Sequence, residues 1–387
     1  MATNGFQCQV CGEGALAEIE GFSALARVTS DCLPFRPDGR LFVCGSCGAM
    51  QGGPDQRWLA DTKEIYQKYN IYHQSGGVEQ SVFDPTTGRA QRRSVVLAQR
   101  LAASMNLAGH GRLLDFGCGN GAMLEAFAGV RPQWSLFGLD LDDRNRSRLE
   151  RIPGFSRLYT GPAKEPDGRF DLITLVHSLE HMPAPHAVLR SLREKLGNGG
   201  CLFVQVPDAE ENPFEMVVAD HLCHFTPATL ARLVARAGFA VEMVETSWVK
   251  KEISLVARPA PPGAGRRAEM APPLGAEPVR RRVAWLHAFV DAARRAATGD
   301  PFGLFGTSIS ATWLFAHLPG EVDFFVDEDP ARCGGRHMGR PIWSPSQAPT
   351  DAAIYLALIP AIAQTVRDRL QALPLKLHLP PPLPSLR

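Results

Sequence analysis

The 387-residue sequence predicts an α/β fold built on a doubly wound, mainly parallel sheet. Three observations predict it. From Arg112 onward short apolar strands alternate with segments of helical periodicity, the order that parallel sheets require. The first of these strands runs into a glycine-rich turn, Gly117-Cys118-Gly119-Asn120-Gly121, that opens a helix. The composition, 45% hydrophobic and 21% charged, belongs to a chain that buries sizeable cores. At roughly 150 residues per domain the length allows two or three domains.

Residues 1–55 are rich in glycine and turn formers and carry Cys8-x-x-Cys11 and Cys44-x-x-Cys47. A CxxC turn brings two thiolates onto one ion from adjacent backbone positions, and two such turns complete a tetrahedral sulfur site for Zn2+. Gly12 and Gly48 follow the second cysteine of each pair, where a tight turn tolerates little bulk. Four protein ligands leave no open position, so this zinc is expected to be structural. Nine cysteines are too few, and odd in number, for a disulfide scaffold.

A core region, residues 56–258, follows. Helices are expected over Asp61–Tyr72 and Ala90–Met105, then strands over Arg112–Phe116, Ser135–Asp140, Phe170–Val176 and Cys201–Val206. The turn Gly197–Gly200 precedes the last of these. Thr226–Gly238 reads as an amphipathic helix ended by glycine, and Val241–Val244 and Glu252–Ala257 as closing strands. Residues 259–280 form a linker, with six prolines and three glycines between Pro259 and Pro278. Residues 281–375 form a second α/β unit, with strands at Phe302–Gly306, Glu321–Asp327 and Ala353–Ile359 and helices at Ser308–His317 and Ala361–Gln371. Its turn Gly303–Ser308 reads as a substrate-side wall rather than a second cofactor site. The proline-rich tail, 376–387, is expected to be loose or extended.

The charge balance excludes some functions. Forty-one Lys+Arg against 40 Asp+Glu leave +1, which gives no overall attraction to nucleic acid or anionic membrane. No apolar run approaches the ~20 residues that span a bilayer. The first residues have neither a basic start nor an apolar signal core, so a cytoplasmic protein with no membrane partner is expected.

The chemistry concentrates after the first core strand. Three glycines at 117, 119 and 121 allow a ligand to approach the backbone, and the following helix directs its N-terminal amides there. Asp140, 21 residues beyond Gly119 at the tip of the next strand, suits ribose hydroxyls. The GxGxG spacing and the acid at Asp115 suit a cationic ligand better than a pyrophosphate, which disfavours a nicotinamide dehydrogenase.

Here the sequence resembles the class I S-adenosylmethionine-dependent methyltransferases, with a Rossmann-like core over about residues 90–257. The stretch Phe170–His181 and the turn Leu196–Gly200 are similar to that family's fourth strand and to the turn before its fifth. The resemblance implies S-adenosyl-L-methionine as cofactor, held by Asp115, Gly117, Gly119, Gly121 and Asp140, with His177 near the methyl group.

With its four-cysteine module and C-terminal α/β unit, the chain also resembles a zinc-containing group that includes sugar C-methyltransferases acting on nucleotide-linked sugars. Tyr69-Asn70-Ile71-Tyr72-His73-Gln74-Ser75 is similar to that group's Tyr-x-Tyr-x-x-Ser segment, which implies Tyr72 and Ser75 at the cofactor. The group's Tyr-His-Glu-His-Leu-Ser-Tyr-Phe-Ser pattern corresponds to Val218–Thr226. His221 and Asp220 persist there, while Val218 replaces the tyrosine. A histidine titrates near neutrality and suits the role of base, so His221 is the candidate catalytic base, with Asp220 or nearby groups setting its surroundings. A small-molecule acceptor such as a nucleotide sugar is expected. Two rivals are an RNA methyltransferase with a zinc-ribbon module and a non-catalytic zinc-centred interaction protein. Against the first, residues 1–50 hold three arginines and five acids, a poor balance for gripping phosphates.

Overall fold

Seven strands form the central sheet: β1 (Gly111–Phe116), β2 (Trp134–Asp140), β3 (Phe155–Thr160), β4 (Phe170–Val176), β5 (Leu196–Pro207), β6 (Phe239–Glu245) and β7 (Glu252–Pro259). The computed structural model describes residues 6–69, 79, 81–83, 90–161, 165–261, 274–297 and 301–386. The order is β3-β2-β1-β4-β5-β7-β6. It departs from the doubly wound order 3-2-1-4-5-6 by one insertion: β7 lies antiparallel between β5 and β6. The strands β1–β5 are mutually parallel. All their C-terminal ends therefore open on one edge, where ligands of such sheets bind.

The helix Gln56–Lys68 begins earlier than its periodicity predicts, because the Asp55 side chain accepts from Trp58 N and caps it. The expected helix 90–105 is in fact a short strand, Ala90–Arg92, followed by a helix over Arg93–Ser104. Thr226 caps the helix Pro227–Arg236 through a reciprocal bond with Thr229.

The cysteine module is not a separate bead. Its antiparallel strands Leu16–Glu18, Phe42–Cys44 and Met50–Gln51 are completed by Cys223–His224 from the core, which pairs with Met50–Gln51. Ala219 N also donates to Val28 O (2.8 Å) and Gly52 N to Leu222 O (2.8 Å). The segment 213–226 is thus laced to both bodies.

The second α/β unit contains β8 (Phe302–Phe305), β9 (Phe324–Val326), β10 (Arg336–His337), β11 (Arg340–Trp343), β12 (Ala353–Leu356) and β13 (Lys376–His378), in the order β10-β11-β9-β8-β12-β13. Two expectations need correction here. Lys376–His378, assigned to the tail, is an edge strand parallel to β12. The tail beyond it is anchored: Pro381 O accepts from Trp285 Nε1 (3.0 Å), and Leu386 is buried. The linker also ends early, at a helix running over Ala276–Ala296.

One hydrophobic core joins three parts of the chain. It includes Phe22, Leu25, Val28 and Leu41 of the module, Phe214, Met216 and Val217 of the connecting segment, and Phe289, Trp313 and Tyr355 of the C-terminal unit. Phe214 lies at its centre, with ring centroids 5.1 Å from Phe289, 5.7 Å from Trp285 and 5.6 Å from Trp313. No described helix is long and apolar enough to cross a membrane.

Candidate functional site

The four cysteines of the paired motifs converge, their sulfurs all within 4.8 Å of one another. Cys8 Sγ lies 3.6 Å from Cys47 Sγ, and Cys11 Sγ 3.5 Å from Cys44 Sγ. Gly12 and Gly48 close the two turns with φ of 82° and 74°, and each donates to the carbonyl of the first cysteine of its pair (2.8 Å). Four sulfurs brought onto one point by such turns are a donor set that fits a tetrahedral zinc ion.

At the glycine-rich turn, Gly117, Gly119 and Gly121 have positive φ of 82°, 51° and 83°, which explains why the turn needs glycine. A Cβ on Gly117 would fall 2.6 Å from Ser178 Cβ, so β1 and the end of β4 approach too closely for any side chain. The Asp140 carboxylate buttresses the loop, accepting from Gly119 N (2.7 Å) and Leu141 N (2.7 Å). Asp115, at 2% exposure, accepts one bond from Thr174 Oγ1 (2.6 Å). Burial pushes its carboxyl up to about 7 against the pull of Thr174, with the nearby Asp140 charge adding to the rise. A buried acid with so little compensation is a place where a cationic ligand gains. The residues present therefore fit a sulfonium cofactor.

His177 sits at the tip of β4 in the left-handed region, φ 49°. Its Nε2 lies 2.9 Å from Arg93 Nη1 and 3.1 Å from Glu252 Oε2. Arg93 pairs with Glu252 (3.0 Å) and Glu79 (3.4 Å). Arg93 and Glu252 lie 159 positions apart in the chain, and no sequence pattern singled them out. Tyr72 and Ser75 lie outside the described residues.

Of the groups near the candidate base, Glu215 meets it directly, while Asp220 acts on it through charge alone. His221 Nδ1 lies 2.5 Å from Glu215 Oε1, and His224 Nδ1 lies 3.5 Å from the same oxygen. Burial works against a charged His221, but the Glu215 carboxylate outweighs it and raises the imidazole to about 9. Asp220 instead serves His181 and the module. Its carboxylate accepts from Ser30 Oγ (2.6 Å) and Ser30 N (2.9 Å), and His181 Nδ1 is 3.3 Å from its Oδ2. The His181 and His221 rings meet edge to face at 4.5 Å. Glu180, fully buried, completes the group with donor atoms within 4.8 Å of His181 and His221. Glu180 also lies 3.4 Å from His177 Nδ1, so the histidine at the β4 tip and the module-side histidines form one continuous cluster. A shallow cleft, partly open to solvent, lies beside His221 and His224 and is bounded by Arg27, Asp38, Arg40 and Trp58.

Residues 89–244 match the family described as methyltransferase domain. Among curated proteins, the ubiquinone biosynthesis O-methyltransferase of Xanthomonas oryzae pv. oryzae is 29% identical over 135 residues, covering 33% of this chain and 56% of that protein. The trans-aconitate 2-methyltransferase of Methylobacterium nodulans is 32% identical over 118 residues, covering 30% and 46%. The chain thus spans about half the length of these relatives. Among solved structures, the glycopeptide N-methyltransferase MtfA with S-adenosyl-L-methionine is 17% identical, at a TM-score of 0.37 over 43% of this chain and 94% of that one. An S-adenosylmethionine-dependent methyltransferase from Clostridium acetobutylicum is 12% identical, at a TM-score of 0.37 over 53% and 98%. Residues 89–244 are thus similar to a methyltransferase domain, and the curated relatives that the same part of the chain resembles are themselves named methyltransferases.

Proposed function

We propose that the whole chain transfers the methyl group of S-adenosylmethionine to a small-molecule acceptor bound beside His221, in the cleft between the cysteine module and the core. The observation that carries this reading is the link through Glu180: the end of β4, beside the glycine loop, is in direct contact with the histidines that line the module. The cofactor would supply an electrophilic methyl. The chain's residues would hold it at the glycine loop and Asp140, with His177 alongside, and His221, in the neutral form that prevails above about pH 9, would take the proton that the acceptor loses. A structural zinc at Cys8, Cys11, Cys44 and Cys47 would fix the module against this site.

The arrangement of charges favours a small acceptor over RNA. All three arginines of residues 1–50 are ion-paired: Arg27 with Asp61 (2.7 Å), Arg36 with Glu64 (2.8 Å) and Arg40 with Glu18 (2.8 Å). A phosphate chain would have to break these pairs. The same holds for the diphosphate of a nucleotide sugar, so among sugar-like acceptors the unphosphorylated ones are favoured.

The test is incubation of the purified chain with methyl-labelled S-adenosylmethionine and a panel of small oxygenated metabolites, sugars and nucleotide sugars. Label is expected in one small acceptor class. His221→Asn is expected to lower its turnover about 100-fold while cofactor affinity by calorimetry stays unchanged. Unaltered turnover would remove His221 from the mechanism. Asp140→Ala should weaken cofactor binding roughly 10- to 100-fold, the worth of bonds to a charged group. Cofactor binding with no transfer to any acceptor would support a non-catalytic protein instead.

A further inference from the structure

Two histidines in this site are already arranged as metal ligands usually are. Among the described residues, His181 Nδ1 faces two acceptors, Asp220 O at 3.2 Å and Asp220 Oδ2 at 3.3 Å. His221 Nδ1 faces Glu215 Oε1 at 2.5 Å. A ring nitrogen set against carboxylate and carbonyl oxygens is the one that carries the proton. In each ring Nε2 is therefore the nitrogen left to accept a ligand. Metal-binding histidines have this second shell, a carboxylate on the far nitrogen that fixes the tautomer and raises basicity.

Glu180 supplies the independent sign. It is fully buried, and among the described residues neither carboxylate oxygen accepts a hydrogen bond. The 3.4 Å approach of His177 Nδ1 lacks hydrogen-bond geometry. Among the described residues its counter-charges are imidazoles alone, those of His177, His181 and His221, and a buried carboxylate that accepts no hydrogen bond is costly unless a cation meets it. Its oxygen and the two imidazoles are mutually within 4.8 Å.

We propose that Glu180, His181 and His221 hold a divalent first-row metal ion, separate from the four-cysteine cluster. Two imidazoles and one carboxylate are a donor set for zinc or iron(II), and three protein ligands leave coordination positions open. A cation at this point occupies the nitrogen that the methyl-transfer reading uses as base, so the two roles exclude each other: with the ion bound, His221 is a ligand and not the proton acceptor. When bound, the ion supplies Lewis acidity that lowers the pKa of a coordinated hydroxyl. If the methyl-transfer reading also holds, the acceptor belongs to the molecules with two adjacent oxygens, such as vicinal diols or hydroxyketones, which chelate such an ion.

Zinc is the probe, because its count does not depend on turnover. The full chain is loaded with Zn2+, desalted, and its zinc measured by mass spectrometry beside Glu180→Gln and His181→Ala. Both variants are expected to retain one equivalent fewer than the parent chain, whatever the cysteine cluster holds. Glu180→Gln removes a buried charge and nearly preserves shape, so it is expected to fold at least as well as the parent. Unchanged cofactor affinity in that variant checks this and tests the glycine-loop site separately. Zinc should also raise the midpoint of thermal unfolding of the parent more than that of Glu180→Gln. Equal zinc content in parent and Glu180→Gln overturns the proposal, and so does equal content in parent and His181→Ala.

Discussion

Asp115→Asn is expected to make the cofactor-free protein more stable at pH 8 and to make it bind S-adenosylmethionine less tightly. The Asp115 carboxyl is raised from an ordinary 3.8 to about 7, chiefly by burial. Below pH ~4 the group is neutral in both folded and unfolded chains and has no effect. Between pH 4 and 7 the unfolded chain ionises while the folded one resists, so stability falls as pH rises. Above pH 7 the folded protein carries the full penalty, on the order of 4 kcal/mol. Asparagine keeps an oxygen for Thr174 and never ionises. The unfolding curves of the two proteins should coincide near pH 4 and separate by pH 8, with the variant the more stable. A sulfonium beside the ionised carboxylate offsets the same penalty in the parent, so its cofactor affinity should rise toward pH 7 and that of the variant should not. Matching stabilities at pH 8 would mean that Asp115 is not the strained group inferred here. Matching affinities would mean that the positive sulfur does not sit near it.

Phe214→Ala is expected to cost about 4 kcal/mol, the usual range for truncating a fully buried aromatic. Phe214 is 2% exposed and meets Phe289, Trp285 and Trp313 at once. Trp313 Nε1 in turn donates to Ala26 O of the module (2.8 Å). Since Glu215 is the next residue, the cavity should also loosen the Glu215–His221 pair and reduce turnover. Phe214→Leu should recover most of both losses. Urea titration monitored by tryptophan fluorescence reads the stability, and a shift below ~1 kcal/mol would show that the three parts do not depend on this ring.

What the sequence reveals here follows from how local each signal is. The buried strands β1, β2 and β4 lie within a residue of their expected bounds, because Leu113, Leu114, Leu172 and Ile173 form apolar runs covered on both faces. β3 carries no such run, because it is an edge strand with exposed Ser156 and Arg157. The short strands β10 and β13 are similarly polar. At β5, Gly197–Gly200 looks like a turn, but the strand already begins at Leu196. The cysteine pairs and the glycine loop are legible because their spacing is itself the geometry. The base and its partner are not. Asp220 and His221 are neighbours in sequence, yet they face different histidine–carboxylate pairs. Glu215 reaches His221 only because the single-turn helix Pro213–Val217 folds the chain back.

The strand Cys223–His224 also sets a schedule for synthesis. The module's other three strands leave the ribosome by residue 51, but their sheet lacks its last member until residue 224 has emerged. At roughly 5–20 residues per second that is a wait of about 10–35 s. Throughout it Met50–Gln51 presents an unpaired edge, and exposed edges recruit other chains. A metal bound early by the cysteines would hold the half-made sheet together until its partner arrives. Zinc-starved cells should therefore yield aggregated chains rather than merely inactive ones.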